Sequence, residues 1–400
     1  MPLRDALSKR GLIMARVYGY SDALAQGEIE SHGGNVYRLA EELGLDVSEI
    51  KDFSASINPL GIPKSSMAAI RDNIPYIVHY PDPDTRMLCQ AISEHHGIEP
   101  PTILCANGSN ELFYLIIRAL RPESVLTLAP TFSEYVRAFE TFGGDRFDDR
   151  QIKRVFLKEE DHFVIDVDVL ITAMAGGMEL QRARRSPILN SPDLVFLCNP
   201  NNPTASMLSR EEVLKIADAA KQLRCHLVVD EAFIDFCPEH SVIGEVSKNP
   251  YLIVIRSLTK FYGLAGLRVG YGVFHQDLIG KIKRFKEPWT VNTLAQVAAI
   301  SALKDTAYTQ QTMRLMEEEK TVLEDGFRAL KIRYYPSAVN FYLLRFDPTI
   351  DVVNRLKKQG IMVRDCSNFI GLSKGYVRVA VKSNRDNMRL LKELARICLA

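Results

Sequence analysis

Leu252-Ile253-Val254-Ile255-Arg256-Ser257-Leu258-Thr259-Lys260, followed by Gly263, Gly266 and Arg268, is the stretch on which the fold turns. Leu252–Ile255 has the make-up of a strand buried on both faces, as in a parallel sheet covered by helices. The chain then turns through hydroxyls to a lysine, with glycines beyond it and an arginine eight residues further on. A lysine amine that is desolvated, or set near other cations, becomes nucleophilic enough to form an imine. Taken alone, a lysine after a strand is more often a solvated strand end.

Working upstream, Leu227-Val228-Val229-Asp230 puts a carboxylate at the C-terminal end of an apolar strand, where α/β sheets hold ligands. Asp230 can pair there with a protonated ring nitrogen; a helix cap or an ion pair is the plainer use. Asn199-Pro200-Asn201-Asn202-Pro203-Thr204 follows another apolar strand and offers side-chain amides from a rigid turn, or is only a turn. Asn107-Gly108-Ser109-Asn110-Glu111 opens a helix after a strand, so free backbone amides meet hydroxyls at a helix N-terminus. Such an end binds phosphate, and it is also what an ordinary N-cap looks like.

Strands predicted at Thr102–Cys105, Ser124–Leu128, Leu194–Cys198, His226–Val229 and Leu252–Ile255 alternate with helices such as Asn110–Leu120 and Glu211–Leu223. This is the pattern of an α/β domain. After Trp289 the chain turns helical, with a charged stretch over Ala307–Leu330, and ends in strand–helix–strand–strand–helix character, an α+β unit. The first 75 residues look irregular apart from a helix over Val36–Leu43, and can pack as an arm on that unit. The expected division is an N-terminal extension over 1–30, an arm and part of the small domain over 31–75, a large domain over 76–305 and a C-terminal small domain over 306–400. Ala173–Leu189, with a Gly-Gly pair and three arginines, reads as a surface loop or insertion.

Composition narrows the classes. Fifty Lys plus Arg against 49 Asp plus Glu leave a net charge of +1, so no global basic field gathers nucleic acid or anionic lipid. Seven cysteines with no CxxC pair disfavour a disulfide framework and a structural metal, and point to a reducing cytoplasm. Met1–Tyr20 lacks the apolar core of a signal peptide, and no run of eighteen apolar residues is present to span a membrane.

In this order the motifs resemble those of the fold-type I pyridoxal-phosphate enzymes, the aspartate-aminotransferase-like group, from about residue 30 to the C-terminus. The resemblance implies a large domain with a mostly parallel sheet between helices, plus a smaller α+β domain from the N- and C-terminal segments. It implies that Lys260 carries pyridoxal phosphate, that Asp230 holds its pyridinium nitrogen and that Asn202 bonds its ring hydroxyl. Ser257, Arg268, Gly108 and Ser109, with Asn110 beside them, would hold the cofactor phosphate, and Phe132 would stack on the ring. Tyr80, in Tyr80-Pro81-Asp82, would reach the phosphate of a neighbouring subunit's cofactor, which implies a homodimer. Without the resemblance, Phe132 and Tyr80 are as readily core aromatics. Phe233 stands where many relatives have tyrosine, and Ala205 where the Asn-Pro-Thr turn usually ends in glycine.

Two branches of the family share these motifs, both acting on amines that bear a phosphate. His32-Gly33-Gly34-Asn35, Asp52-Phe53-Ser54-Ala55-Ser56-Ile57-Asn58-Pro59-Leu60-Gly61 and Asp230-Glu231-Ala232-Phe233 resemble the decarboxylases of phosphorylated threonine in the cobalamin pathway more than the histidinol-phosphate aminotransferases. By that resemblance Arg378 contacts the substrate carboxylate and Arg364 its phosphate, while His32 with Gly33 and Gly34 covers the phosphate and Asn58 touches substrate from the small-domain side. Asn202 faces both cofactor and substrate. Arginines on strands also serve as structural ion pairs, and a His-Gly-Gly run as a mobile arm. Ser56 stands where close relatives have asparagine, which keeps serine phosphate open beside threonine phosphate.

Overall fold

The computed structural model describes residues 32–144, 148, 151–176 and 191–398. The proposed extension over 1–30 and most of the 173–189 segment therefore lie outside the described residues. In chain order the strands are β1 (Lys51–Asp52), β2 (Ile103–Ala106), β3 (Val125–Ala129), β4 (Ile152–Phe156), β5 (Leu194–Cys198), β6 (His226–Asp230) and β7 (Leu252–Ser257). There follow β8 (Gly270–Val273), β9 (Arg333–Tyr334), β10 (Phe341–Arg345), β11 (Ile361–Met362), β12 (Arg364–Asp365) and β13 (Tyr376–Ala380).

Seven strands form the main sheet in the order β2-β8-β7-β6-β5-β3-β4. The pairings from β7 through β6, β5 and β3 to β4 are parallel, and β8 runs antiparallel to both its neighbours. Alternate residues of one strand feed opposite layers. Ile253 and Ile255 join the cluster under the helices Ser109–Leu120, Glu134–Gly143 and Gln276–Lys283, while Leu252 and Val254 join the cluster that includes Val213, Ile216 and Ala217 of the helix Arg210–Leu223. Burial on both faces is why these strands are continuous apolar runs; each buried Ile or Leu contributes about 1.5–3 kcal/mol over an exposed one.

A second, antiparallel sheet has the order β12-β13-β10-β9 and is backed by the helices Thr306–Ala329 and Asn384–Cys398. The N-terminal arm attaches here: β1 pairs in parallel with β11, Lys51 opposite Ile361 and Asp52 opposite Met362. The mostly parallel α/β sheet, the α+β unit and the docked arm match the expected fold. Elements that the sequence did not mark include β4, β8 and the helix Lys64–Asn73. β8 reads Gly270-Tyr271-Gly272-Val273, and its glycines hide a strand whose backbone passes so close to its neighbours that a Cβ on Gly270 would lie 2.6 Å from Ser109 N. The helix Lys64–Asn73 buries only Ser66 among its ten residues, so it carries little apolar periodicity.

Candidate active site

At the C-terminal ends of β5, β6 and β7 a cavity of about 220 Å³ opens between the two sheets. Register fixes its floor, because Cys198 lies opposite Asp230 and Asp230 opposite Ile255, two residues before the end of β7, which the turn bearing Lys260 follows. Burial, with Arg378 and Arg268 adding repulsion, pushes the Lys260 ammonium down to about 8. Asp230 is buried, and its carboxyl is pushed up to about 6; the Tyr135 phenol, donating to Oδ2 at 2.6 Å, works against that rise. Oδ1 accepts the Ala232 N–H at 3.0 Å. Beneath this floor Arg256 lies between Glu231, at 3.2 Å, and Asp235, at 3.1 Å, one buried cation shared by two carboxyls that burial pushes up.

One wall is built to receive an anion. Gly108 precedes the helix Ser109–Leu120 at φ 73°, and a Cβ there would run into the Arg268 guanidinium, so only glycine lets the arginine close over the helix end. Ser109, Asn110, Ser257 and Arg268 line the cavity, and the Ser257 and Thr259 hydroxyls share a 2.7 Å hydrogen bond. Phe132 and Asn202 line it too. Asn202 Oδ1 accepts a short hydrogen bond from Arg378 Nη1, which leaves its amide N–H groups for a ligand. Phe233 also faces the cavity and packs edge-on to Phe341, bringing no hydroxyl to it. Ala205 adopts φ 61°, so the turn keeps the left-handed geometry expected of the missing glycine.

The opposite wall comes from the smaller sheet and the arm. Arg364 on β12 stands beside Arg378 on β13, both buried, and both line the cavity. Arg378 Nη2 donates to the Ser54 carbonyl at 2.8 Å, while its Nε is buried with no hydrogen-bond partner among the described residues. Arg364 donates to Asn368 at 2.8 Å with its guanidinium over the Phe369 ring. His32 and Gly33 close the mouth. A Cβ on Gly33 would sit 2.8 Å from Ser54 Oγ, the same hydroxyl that accepts the Gly34 N–H at 2.8 Å. A larger cavity of about 670 Å³ lies on the far side of His32, Gly33 and Arg364.

Of the residues expected from sequence, four do not line this cavity: Gly108, which lies behind Arg268, and Asn58, Gly34 and Tyr80. Asn58, expected as a substrate contact, brackets the protein internally: its amide donates to the Phe261 carbonyl at 2.8 Å and Thr312 Oγ1 at 2.7 Å, and its Oδ1 accepts the Leu60 N–H. Both side-chain N–H groups are thereby used within the protein, and its backbone N–H holds the Lys260 carbonyl at 3.0 Å. Gly34 shapes the arm without lining the cavity, and Tyr80 lies outside, stacked on Trp289 at 4.9 Å. Sequence reasoning missed Tyr135, Glu134, which holds His32, and Lys382, whose Nζ donates to the Ala55 and Ile57 carbonyls. Ser56, which the sequence ties to the substrate pocket, lines the cavity with a buried Oγ that has no hydrogen-bond partner among the described residues.

These strand ends, with a depressed lysine facing a buried aspartate, define a site for a cofactor that bonds an amine. The model of the family "Aminotransferase class I and II" matches residues 45–396, and the chain belongs to that family. It is 38% identical over 371 residues to the threonine-phosphate decarboxylase of Salmonella typhimurium, covering 92% of this chain and 96% of that protein. Among solved structures it is similar to the L-threonine-O-3-phosphate decarboxylase of Porphyromonas gingivalis, with TM-score 0.71 and 26% identity over 88% of this chain and 100% of that one. The histidinol-phosphate aminotransferase of Clostridium acetobutylicum superposes with TM-score 0.77 and 29% identity over 88% and 99%.

Pyridoxal phosphate, the cofactor this family implies, fits the residues present. The aspartate is buried as a pyridinium partner must be, the lysine is brought toward its neutral form, and the Gly108–Arg268 approach makes a phosphate cradle that a side chain would fill.

Proposed function

We propose that the protein decarboxylates O-phospho-L-threonine to (R)-1-amino-2-propanol phosphate and carbon dioxide, serving the nucleotide loop of cobalamin, with pyridoxal phosphate on Lys260. The observation that carries this is the pair Arg364 and Arg378 lining the same cavity as Lys260, with His32 at its mouth. A substrate with a carboxylate at one end and a phosphate at the other needs two cationic grips on one side of the amine. Likeness to threonine-phosphate decarboxylases over nine-tenths of the chain supports the same substrate.

When bound, pyridoxal phosphate supplies the electron sink for whichever Cα bond the protein holds perpendicular to its ring. The protein's part is to choose that bond. Arg378, braced on Asn202 and the Ser54 carbonyl, offers its unspent Nε–H to the carboxylate, and Arg364 with His32 takes the phosphate. Fixing both ends directs binding energy into orientation at the reacting carbon. Asp230, braced by Tyr135 and Ala232, keeps a negative charge against the ring nitrogen. Gly108, Ser109, Asn110, Ser257 and Arg268 hold the cofactor phosphate. Lys260, with its amine partly deprotonated near neutral pH, accepts and returns protons and protonates Cα once carbon dioxide has left.

The working unit is a homodimer in the cytoplasm, with Tyr80 contributed across the interface and the chain divided into arm, large and small domains as the sequence suggests. An exposed apolar run over Ile74–Tyr80 supports the dimer, and seven free cysteines fit a reducing compartment. The test is carbon dioxide release from O-phospho-L-threonine by the pyridoxal-phosphate-loaded protein with no keto acid added. Release supports the decarboxylase; silence, with half-transamination by histidinol phosphate, moves the protein to the aminotransferase branch. Equal kcat/KM for O-phospho-L-serine would remove any preference between the two hydroxy-amino-acid phosphates, a difference of one methyl worth about 10- to 200-fold at most.

A further inference from the structure

We propose that Glu134 is the positioning residue for His32, holding the imidazole of the N-terminal arm at the mouth of the cavity as a donor to the substrate's phosphate. The inference rests on the reading above that the substrate carries a phosphate. Glu134 is the first residue of the helix Glu134–Gly143 and is only 4% exposed. A carboxylate so buried needs partners, and each of its oxygens has them. Oε1 lies 2.9 Å from His32 Nε2 and 3.6 Å from Arg137 Nη1. Oε2 accepts from Asn110 Nδ2 at 3.1 Å and lies 3.5 Å from the Tyr114 hydroxyl. The bond to His32 spans 102 residues and ties the arm to the large-sheet side of the cavity.

Three features make this more than an ion pair. First, the contact fixes the ring chemistry: an ionised carboxylate accepts only, so Nε2 carries its hydrogen, and with the ring as imidazolium Nδ1–H is left as the donor for a ligand. Glu134 stays ionised for that task, since the hydrogen bond from His32 holds its carboxyl below the ordinary value. Second, the ring is placed between the two cavities, lining both beside Gly33 and Arg364, with its centroid 6.0 Å from that of Phe132. A phosphate drawn to Arg364 meets it there. Third, the same carboxylate holds Asn110, in the first turn of the helix Ser109–Leu120 beside the phosphate cradle. One buried side chain therefore sets the substrate grip at a fixed position relative to the cofactor grip.

The test is a double-mutant cycle on the cofactor-loaded enzyme with Glu134→Gln and His32→Ala. Gln keeps the shape and one acceptor but removes the charge, so KM for O-phospho-L-threonine is expected to rise about tenfold, the measure of one charge-assisted hydrogen bond, while kcat moves less than about twofold. Cofactor absorbance and Tm stay near wild type. In the His32→Ala background Glu134→Gln adds nothing further, and Glu134→Asp, which keeps the charge, recovers part of the KM. The proposal is overturned if Glu134→Gln lowers kcat with KM unchanged, or if the two substitutions multiply. Failure of the decarboxylase reading would appear separately, as absent carbon dioxide release in the wild type. The cycle is then read on the dissociation constant of histidinol phosphate, with the same two outcomes.

Discussion

The Tyr135 phenol donates to Asp230 Oδ2 at 2.6 Å from a position of complete burial, its ring stacked on Phe196 at 4.9 Å. Asp230 needs that donor. Burial pushes its carboxyl up to about 6, and the hydrogen bond from Tyr135 pulls it back toward the ionised form on which a charged ring partner depends. Removing the hydroxyl with Tyr135→Phe keeps the aromatic stack. It is expected to raise the Asp230 carboxyl further, lower kcat about tenfold, and move the acid limb of the pH–rate profile to higher pH. A profile whose acid limb stays in place would show that the ionisation of Asp230 does not set it.

Lys260 carries a stability cost that the cofactor-free protein exposes. Its ammonium is brought from 10.5 to about 8 by burial and by Arg378 and Arg268. Between those values the unfolded chain binds more protons than the folded one, so this group makes stability rise with pH through that window. Below about pH 8 both states are protonated and the full penalty applies. Lys260→Met is therefore expected to stabilise the cofactor-free protein at pH 7 by about 1–3 kcal/mol, the gain fading toward pH 10.5. Urea unfolding of both proteins at pH 7 and pH 10 measures it, and an equal difference at the two values would refute the cause.

Gly108 is the narrowest point of the phosphate cradle. A methyl there both meets the Arg268 guanidinium and must adopt φ 73°. Gly108→Ala is expected to displace Arg268 and weaken cofactor binding at least about tenfold, with a smaller effect on the turnover of enzyme saturated with cofactor. Absorbance titration with pyridoxal phosphate reads the constant; wild-type affinity would put the phosphate elsewhere.

How much of this the sequence discloses depends on how far apart the partners lie. Asp230, Asn202 and Lys260 each sit at or just after an apolar strand, so a local pattern marks them and the parallel register does the rest. Tyr135 and Glu134 follow Phe132 within three residues, yet their partners Asp230 and His32 are 95 and 102 residues away, and no local pattern records such a contact. The only hint was a glutamate opening a helix, which also suits the helix dipole. Asn58 is marked only by the resemblance, and no local pattern discloses that its side-chain amide donates to Phe261 and Thr312, more than 200 residues on. β8 escaped because Gly270 and Gly272 are chosen for close approach, not for strand propensity.

The last prediction concerns the dimer. Ile74, Ile77 and Val78 are exposed together with Tyr80, and the exposure reaches 78% at Val78 and 80% at Tyr80. Large apolar side chains grouped in this way mark an interface more often than open surface. Val78→Asp sets a charge in the middle of the run and, on the dimer reading proposed above, is expected to give monomers in sedimentation with activity falling in parallel. A sharper form uses complementation. Tyr80→Phe alone is expected to weaken cofactor binding about tenfold while leaving the dimer intact. Lys260→Ala is inactive. If Tyr80 acts across the interface, a heterodimer of the two variants holds one site with both residues intact. Random reassociation then makes half the dimers mixed, and at limiting cofactor should restore about a quarter of wild-type activity from two weak parents, as half of the dimers each carry one good site of two. No recovery, with heterodimers demonstrated, would place Tyr80 outside the partner's site.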